Sequence, residues 1–231
     1  MYKNSKVSLV IPAYNEEKGI EAVIREVPAI IDETIVIDNA STDRTAEIAS
    51  RLRTKVVLER RRGYGAAYKK GFQEASGDII VTLDADGMYP VKAIPYLVEV
   101  LVKESLSFIT VQRRNDWIRR ISDWTLENWF RYFGNIILGL FIYAVFGIKL
   151  RDSQSGMWVF RKGILNDLHL TSDSWSFSEE LKIEVFLNKK LRAKEIAQPY
   201  SNKRIGTSKL DLFPDGFANL AFLFKKRFGA K

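Results

Sequence analysis

The chain has 231 residues, 46% of them hydrophobic and 28% charged, which is enough for one sizeable domain and too apolar for a disordered segment. With no cysteine and a single histidine, His169, a disulfide framework and thiolate or histidine-cluster metal sites are excluded. A formal charge of +8 fits a polyanionic partner and fits a lysine-rich solvated surface equally well.

In chain order, the residues before Val7 pass almost directly into a strand-like run and leave no room for a signal peptide, so a cytoplasmic protein is expected. Val7 to Ile11 predicts a strand and Glu16 to Val27 a helix. A second strand is expected over Thr34 to Ile37, then a helix over Thr42 to Leu52 with Ser41 as its N-cap. Lys55 to Leu58, Gly65 to Ala75 and Ile79 to Leu83 continue as strand, helix and strand. This alternation implies right-handed βαβ units and a parallel sheet covered on both faces, with ligands at the carboxyl ends of the strands. Those ends are polar: Pro12-Ala13-Tyr14-Asn15-Glu16, Asp38-Asn39-Ala40-Ser41 and Asp84-Ala85-Asp86-Gly87.

Beyond residue 90 a helix is expected over Pro95 to Glu104 and a strand over Phe108 to Val111, running into Gln112-Arg113-Arg114. Residues 117–133 mix Trp117, Trp124, Trp129, Phe130, Tyr132 and Phe133 with Arg119, Arg120 and Arg131. Ile136 to Ile148 then carries no charge; as a helix it measures about 20 Å, short of the roughly 30 Å hydrocarbon core of a membrane. Phe213, Phe217, Leu220, Phe224 and Phe228 recur at helical spacing beside Lys225, Lys226 and Arg227. Such a helix either packs its aromatic face on the domain or lays it in lipid.

Several chemistries lack their residues. There is no phosphate-binding G-x-x-x-x-G-K-[ST] loop, and Gly63-Tyr64-Gly65 is followed by Tyr68 where a dinucleotide fingerprint needs its third glycine. Asp84 and Asp86 stand apart: at i and i+2 beyond a buried strand, both carboxylates can turn to one point and suit Mg²⁺ or Mn²⁺ alongside substrate phosphates.

The segments VSLVIPAYNEE (7–17), IVIDNASTDRT (35–45), RRGYGAAYKKGFQEASGDIIVTLDADGMYP (61–90), DSQSGMWVF (152–160) and NKRIGTSKL (202–210) together resemble the family-two glycosyltransferases. Within these, the chain is most similar to the dolichyl- and polyprenyl-phosphate sugar transferases. The resemblance implies one GT-A domain over residues 1–231: a Rossmann-like sheet with helices on both faces, plus C-terminal amphipathic helices at a membrane interface. Residues 1–90 would be the nucleotide-sugar half. Residues 91–231 would be the acceptor half, with interfacial helices about 117–148 and 213–228.

The resemblance also assigns residues. Pro12, Ala13, Tyr14 and Glu16 match the loop that embraces the nucleotide, Asp38 the base-reading aspartate, and Gly63 and Gly65 a tight turn near the nucleotide. Asp84 and Asp86 match the metal motif on the diphosphate. Arg204, Ser208 and Lys209 match a basic loop closing over the donor. Arg113, Arg131 and Asn135 match the group around the acceptor phosphate, and Asp152, Gln154 and Ser155 the segment that shapes the acceptor site. Asn39, Met88 and Met157-Trp158 depart from the family pattern. Glu179 and Glu180 are expected at exposed helix positions, with contact to the sugar as the lesser alternative.

The implied activity is metal-assisted, inverting transfer of a hexose, with GDP-mannose ahead of UDP-glucose as donor, to dolichyl or polyprenyl phosphate. The implied partners are a nucleotide sugar, the lipid phosphate and a membrane surface, not nucleic acid. The expected location is peripheral, at a membrane's cytoplasmic face, and a membrane-protein partner is left open. Transfer to a glycan hydroxyl, or a basic membrane-binding module with a decayed site, are the alternative readings.

Overall fold

The apolar runs at Val7–Ala13 (β1) and Ile79–Thr82 (β4) form neighbouring strands whose side chains are buried on both faces, which is why their sequences do not alternate. The computed structural model describes residues 2–114, 126–201 and 204–229, and nothing is described of the side chains at 126–128, 131 and 212. With β2 (Glu33–Asp38), β3 (Lys55–Leu58), β5 (Phe108–Arg114), β6 (Trp158–Arg161) and β7 (Ala193–Pro199), they make a seven-stranded sheet in the order β3-β2-β1-β4-β6-β5-β7.

The β3-β2-β1-β4 portion is parallel, as the sequence predicts, and its register places Ala13 beside Asp38 and Val10 beside Thr82. The carboxyl ends of β1, β2 and β4 therefore share one edge. Because β1 is flanked by strands that follow it in both directions, the crevice between β1 and β4 is where a doubly wound sheet takes its ligand. A wholly parallel sheet is not formed: β6 runs antiparallel between β4 and β5. The Thr82 hydroxyl fixes β6 there, donating to Gly156 O (2.7 Å) and accepting from Trp158 N (2.7 Å).

Helices cover both faces. Leu9, Ile11, Val81 and Val159 pack against Ile20 and Val23 of α1 (Ile20–Arg25) and Leu97 and Leu101 of α4 (Ile94–Lys103); α2 (Thr45–Arg51) adds Ala49. On the opposite face, Val10, Ile35, Ile80 and Phe160 meet Tyr68 and Phe72 of α3 (Tyr64–Glu74) and Phe177 and Leu181 of α6 (Phe177–Leu187). A third cluster joins Leu138 and Ile142 of α5 (Leu126–Phe146) to Leu223 of α7 (Leu212–Phe228) and Ile183 of α6.

Two helix starts differ from expectation. The first helix begins at Ile20, not Glu16, because the main chain before it is tied sideways: Asn15 N donates to Ser41 Oγ (3.1 Å), Glu16 N to Thr45 Oγ1 (2.8 Å) and Glu17 N to Asp43 Oδ2 (3.1 Å). Ser41 is thereby used as a brace and does not cap α2, whose first residue, Thr45, donates its N–H to Asp43 Oδ1 (2.9 Å).

No helix among the described residues is long and apolar enough to cross a membrane. The aromatic series of α7 does not pack inward: Phe213, Phe217, Phe224 and Phe228 are 57–71% exposed, as are Leu140 and Tyr143 of α5 in large part. Trp117, Arg119, Arg120 and Trp124 lie outside the described residues.

Candidate active site

A cavity of about 790 Å³ opens over the β1/β4 crevice, within the several-hundred-Å³ range typical of small-molecule sites. Pro12, Ala13, Tyr14 and Glu16 line one end of it. The Arg62 guanidinium lies 4.1 Å from the Tyr14 ring centre, a cation–π contact that flattens this wall. Asp38 is buried at the end of β2, where its Oδ1 accepts from Ser41 N (3.1 Å), and it is not among the lining residues. Asn39 is on the wall and acts as a brace: its amide donates to Glu59 O (3.1 Å) and Arg61 O (2.8 Å) and accepts from Gly63 N (2.8 Å). Gly65 lies away from the cavity. A Cβ there would stand 2.4 Å from Ser172 O, so its smallness serves the packing of α3 on the chain before α6.

Asp84 and Asp86 follow β4 and both line the cavity. Tyr64 and Tyr68 donate their hydroxyls to Asp84 Oδ1, at 3.2 and 3.4 Å. Burial first, then the neighbouring Asp86 charge, lifts the Asp84 carboxyl to about 6. Asp86 Oδ1 accepts from Met88 N (3.0 Å), while Oδ2 accepts from Arg204 Nε (3.1 Å) and Nη2. Two main-chain bonds, Ser201 N to Met88 O and Ile205 N to Asp86 O (both 2.9 Å), hold Ser201 and Ile205 against this turn. Ser208 and Lys209 continue the same wall.

Glu16 faces this group. It is 8% exposed, its Oε2 has no hydrogen-bond partner among the described residues, and its carboxyl is pushed up to about 7 by burial, with Asp86 and Asp84 adding to the rise and Lys209 and Arg204 opposing it. Among the described residues no set of three or more His, Cys, Asp or Glu side chains is arranged to hold a metal ion. Two neighbouring hard carboxylates nonetheless fit a small divalent cation whose remaining ligands come from a diphosphate and water.

On the far side stands Arg113 of β5. It pairs with Asp152 through Nε–Oδ2 (2.6 Å) and Nη2–Oδ1 (2.7 Å), and its backbone N–H also donates to Oδ2 (3.0 Å). Burial alone would raise the Asp152 carboxyl; the guanidinium outweighs it and holds the carboxyl below its usual value. Asn135 of α5 lines the cavity and accepts from Ser153 Oγ (3.0 Å), beside Gln154. Ser155 is buried behind the wall within hydrogen-bond reach of the Tyr89 hydroxyl (3.3 Å). Arg131 lies one turn ahead of Asn135 on α5, its side chain outside the described residues.

The structure corrects the expectation for Glu179 and Glu180, which are both fully buried. Helix α6 is clamped between the sheet and α7, so its acidic positions face partners and not solvent. Glu180 takes Lys226 Nζ (3.1 Å) and the backbone N–H groups of Thr171 and Ser172. Glu179 reaches the cavity wall, with Asn219 Nδ2 of α7 on its Oε1 (3.3 Å). The buried Lys182 beneath it donates to Asp152 O (3.2 Å) and Ser153 O (2.6 Å). Burial lowers the Lys182 ammonium to about 8, against the pull of Asp152 and Glu179. Trp175 and Tyr64, stacked at 4.7 Å, were not singled out from the sequence as site residues; the aromatic run Trp175-Ser176-Phe177 leading into paired acids was their visible trace. Phe130, Phe213 and Phe217 frame the mouth.

The mixed sheet with helices on both faces is the GT-A fold, and solved structures share that fold. Glucosyl-3-phosphoglycerate synthase from Mycobacterium tuberculosis, in complex with Mn²⁺, UDP-glucose and phosphoglyceric acid, superposes with a TM-score of 0.79 at 23% identity, over 99% of this chain and 81% of that one. The model of glycosyl transferase family 2 matches residues 8–168, and the chain belongs to that family. Among curated relatives, a low-salt glycan biosynthesis hexosyltransferase of Haloferax volcanii is 30% identical over 94% of this chain and 52% of its own length. A dolichyl-phosphate hexose transferase of the same organism is 28% identical over 94% of this chain and 92% of its own. The dolichol-phosphate mannosyltransferase of Pyrococcus furiosus is 29% identical over 89% and 59%. The chain thus spans little more than half of the first and third of these relatives.

Proposed function

We propose that this glycosyltransferase moves a hexose from a nucleotide diphosphate sugar to a polyprenyl phosphate, with inversion at the anomeric carbon. The observation that carries the reading is one cavity with three chemically distinct walls: carboxylates and cations at Asp84, Asp86, Arg204 and Lys209, a phosphate-suited pair at Arg113 and Asn135, and exposed aromatics at the mouth. The names of the Haloferax and Pyrococcus relatives support a dolichyl-phosphate acceptor. GDP-mannose is the first donor to test and UDP-glucose the second, the latter suggested by the solved neighbour.

Asp84 and Asp86 would hold Mg²⁺ or Mn²⁺, which when bound supplies Lewis-acid stabilisation of the diphosphate. Arg204 and Lys209 provide charge for the same leaving group, and Arg204 must release Asp86 to do so. Arg113, Arg131 and Asn135 hold the acceptor phosphate, the arginines offering donors matched to its oxygens. A phosphate oxygen forms the new bond to the anomeric carbon as the bond to the diphosphate breaks. A phosphate monoester is largely dianionic near neutrality, its second ionisation lying at about 6, so the attack needs no strong general base. The acceptor's apolar tail stays in lipid, and the aromatic faces of α5 and α7 dock the enzyme peripherally on that surface.

Radiolabelled GDP-mannose and UDP-glucose, each incubated with polyprenyl phosphate in vesicles and Mg²⁺ or Mn²⁺, test this. Label entering the lipid phase from either donor supports the reading. Label transferred only to a water-soluble glycan, or no transfer at all, overturns it.

A further inference from the structure

Glu179 is the feature that the transfer reaction as described leaves unused. It is fully buried, yet it belongs to the cavity wall, and its Oε2 has no hydrogen-bond partner among the described residues. An unmatched carboxylate oxygen at such depth is costly, and native proteins retain one chiefly where a ligand completes it. The rest of the carboxylate is held firmly. Oε1 accepts from Asn219, the Gln154 side chain also bonds the carboxylate, and Lys182, anchored on the carbonyls of Asp152 and Ser153, supplies compensating charge nearby.

The chemistry of the reactants narrows what Oε2 can take. A carboxylate repels the phosphates of donor and acceptor, and the lipid tail has no donors. Sugar hydroxyls, of the hexose or of the ribose, are what is left, and the affinity of the bare nucleotide diphosphate separates the two. Placement agrees: Tyr64 donates to Asp84 and stacks on Trp175, which stands one helical turn before Glu179, so the wall runs from the diphosphate end to the carboxylate through two aromatic faces. Ser178, on the same wall, donates to Ser155 O (3.0 Å) and locks the start of α6 to the acceptor segment.

We infer that Glu179 is the hexose-reading residue: Oε2 accepts a hydrogen bond from a sugar hydroxyl while the Trp175 and Tyr64 rings flank the pyranose, so that the site selects a neutral hexose over a uronate. This rests on the donor being a nucleotide diphosphate sugar. A site built to bond a hydroxyl discriminates strongly against an analogue that lacks it, because the buried partner is then left unmatched.

The test is calorimetric titration of the full chain with Mn²⁺ and, in turn, GDP, GDP-mannose, UDP and UDP-glucose, for the wild type, Glu179→Gln and Glu179→Ala, with thermal melts to verify folding. The expected result is a loss of about tenfold in affinity for the nucleotide hexose in both variants, with the bare nucleotide diphosphate bound within about twofold of wild type. Unchanged nucleotide-hexose affinity overturns the inference, and so does an equal loss for nucleotide and nucleotide hexose. A wild type that binds no nucleotide diphosphate at all overturns the donor reading, and this inference with it. Wild-type titration with monodeoxy-hexose nucleotides is independent of any folding defect: one deoxy position should lose about tenfold, and uniform affinity across the series also overturns the assignment.

Discussion

Glu16→Gln should make the metal-free protein more stable, and only in alkaline solution. The Glu16 carboxyl lies buried beside Asp84 and Asp86, and its pKa is lifted from 4.5 to about 7. Between those values the folded state holds a proton that the unfolded state has released, so stability falls as pH rises from about 4.5 to about 7 and levels off above. At about 1.36 kcal/mol per unit, the ionised carboxylate costs about 3 kcal/mol at pH 8. Glutamine keeps the shape and removes the titration. Urea denaturation with a chelator present should therefore give matching midpoints near pH 4.5 and a variant ahead by up to about 3 kcal/mol at pH 8, with the m-value unchanged. Asp84 titrates in the same sense in both proteins, so the difference between the two curves reports Glu16 together with its coupling to Asp84. Curves that remain parallel from pH 5 to pH 8 would refute the reasoning. The gain in stability should be accompanied by weaker nucleotide-sugar binding, since a strained acidic cluster is the kind of feature a site retains at the expense of stability.

Asp152→Asn strips the charge that Arg113 is bonded to at 2.6 and 2.7 Å, and should destabilise the fold by about 3 kcal/mol; a urea midpoint equal to wild type would contradict this. Gly156→Ala would put a methyl 2.1 Å from the Tyr64 hydroxyl and 3.3 Å from both Asp84 carboxylate oxygens, abolishing Mn²⁺ binding; adding Tyr64→Phe removes the nearest clash and should restore part of it in a double-mutant cycle read by titration. Phe217→Ser with Phe224→Ser, at positions 71% and 57% exposed, should leave the melting temperature within about 2 °C while cutting flotation with anionic vesicles several-fold.

The β1–β4 portion could be read from the chain because its strands are short apolar runs bounded by polar turns, a local pattern that needs no knowledge of distant residues. Asp84, Asp86, Tyr14 and Glu16 fall on the cavity wall for that reason: the end of a buried strand fixes where its next residues go. Three features resisted reading because their causes are remote in sequence. The antiparallel β6 is held by Thr82, 76 residues before Trp158. Adjacent glutamates look like a solvated helix face until Asn219 and Lys226, some 40 residues later, are folded over them. The motif matches Gly65 to a turn near the nucleotide, yet its smallness serves the packing of α3, since motif positions record what surrounds a site as well as what touches it.

Ser201 and Ile205 are stitched to the Asp86–Met88 turn by two main-chain hydrogen bonds, and Arg204 joins Asp86 through its side chain. With the lipid-phosphate acceptor proposed above, the main-chain ties would stay while Arg204 exchanges Asp86 for the diphosphate, and the aromatic rim of α5 and α7 would be the route by which a tailed acceptor enters and its product departs. Substrate would then exchange laterally. Turnover would answer to the mole fraction of lipid phosphate in the surface, and diluting the vesicles at fixed composition would leave the bound enzyme's rate where it was.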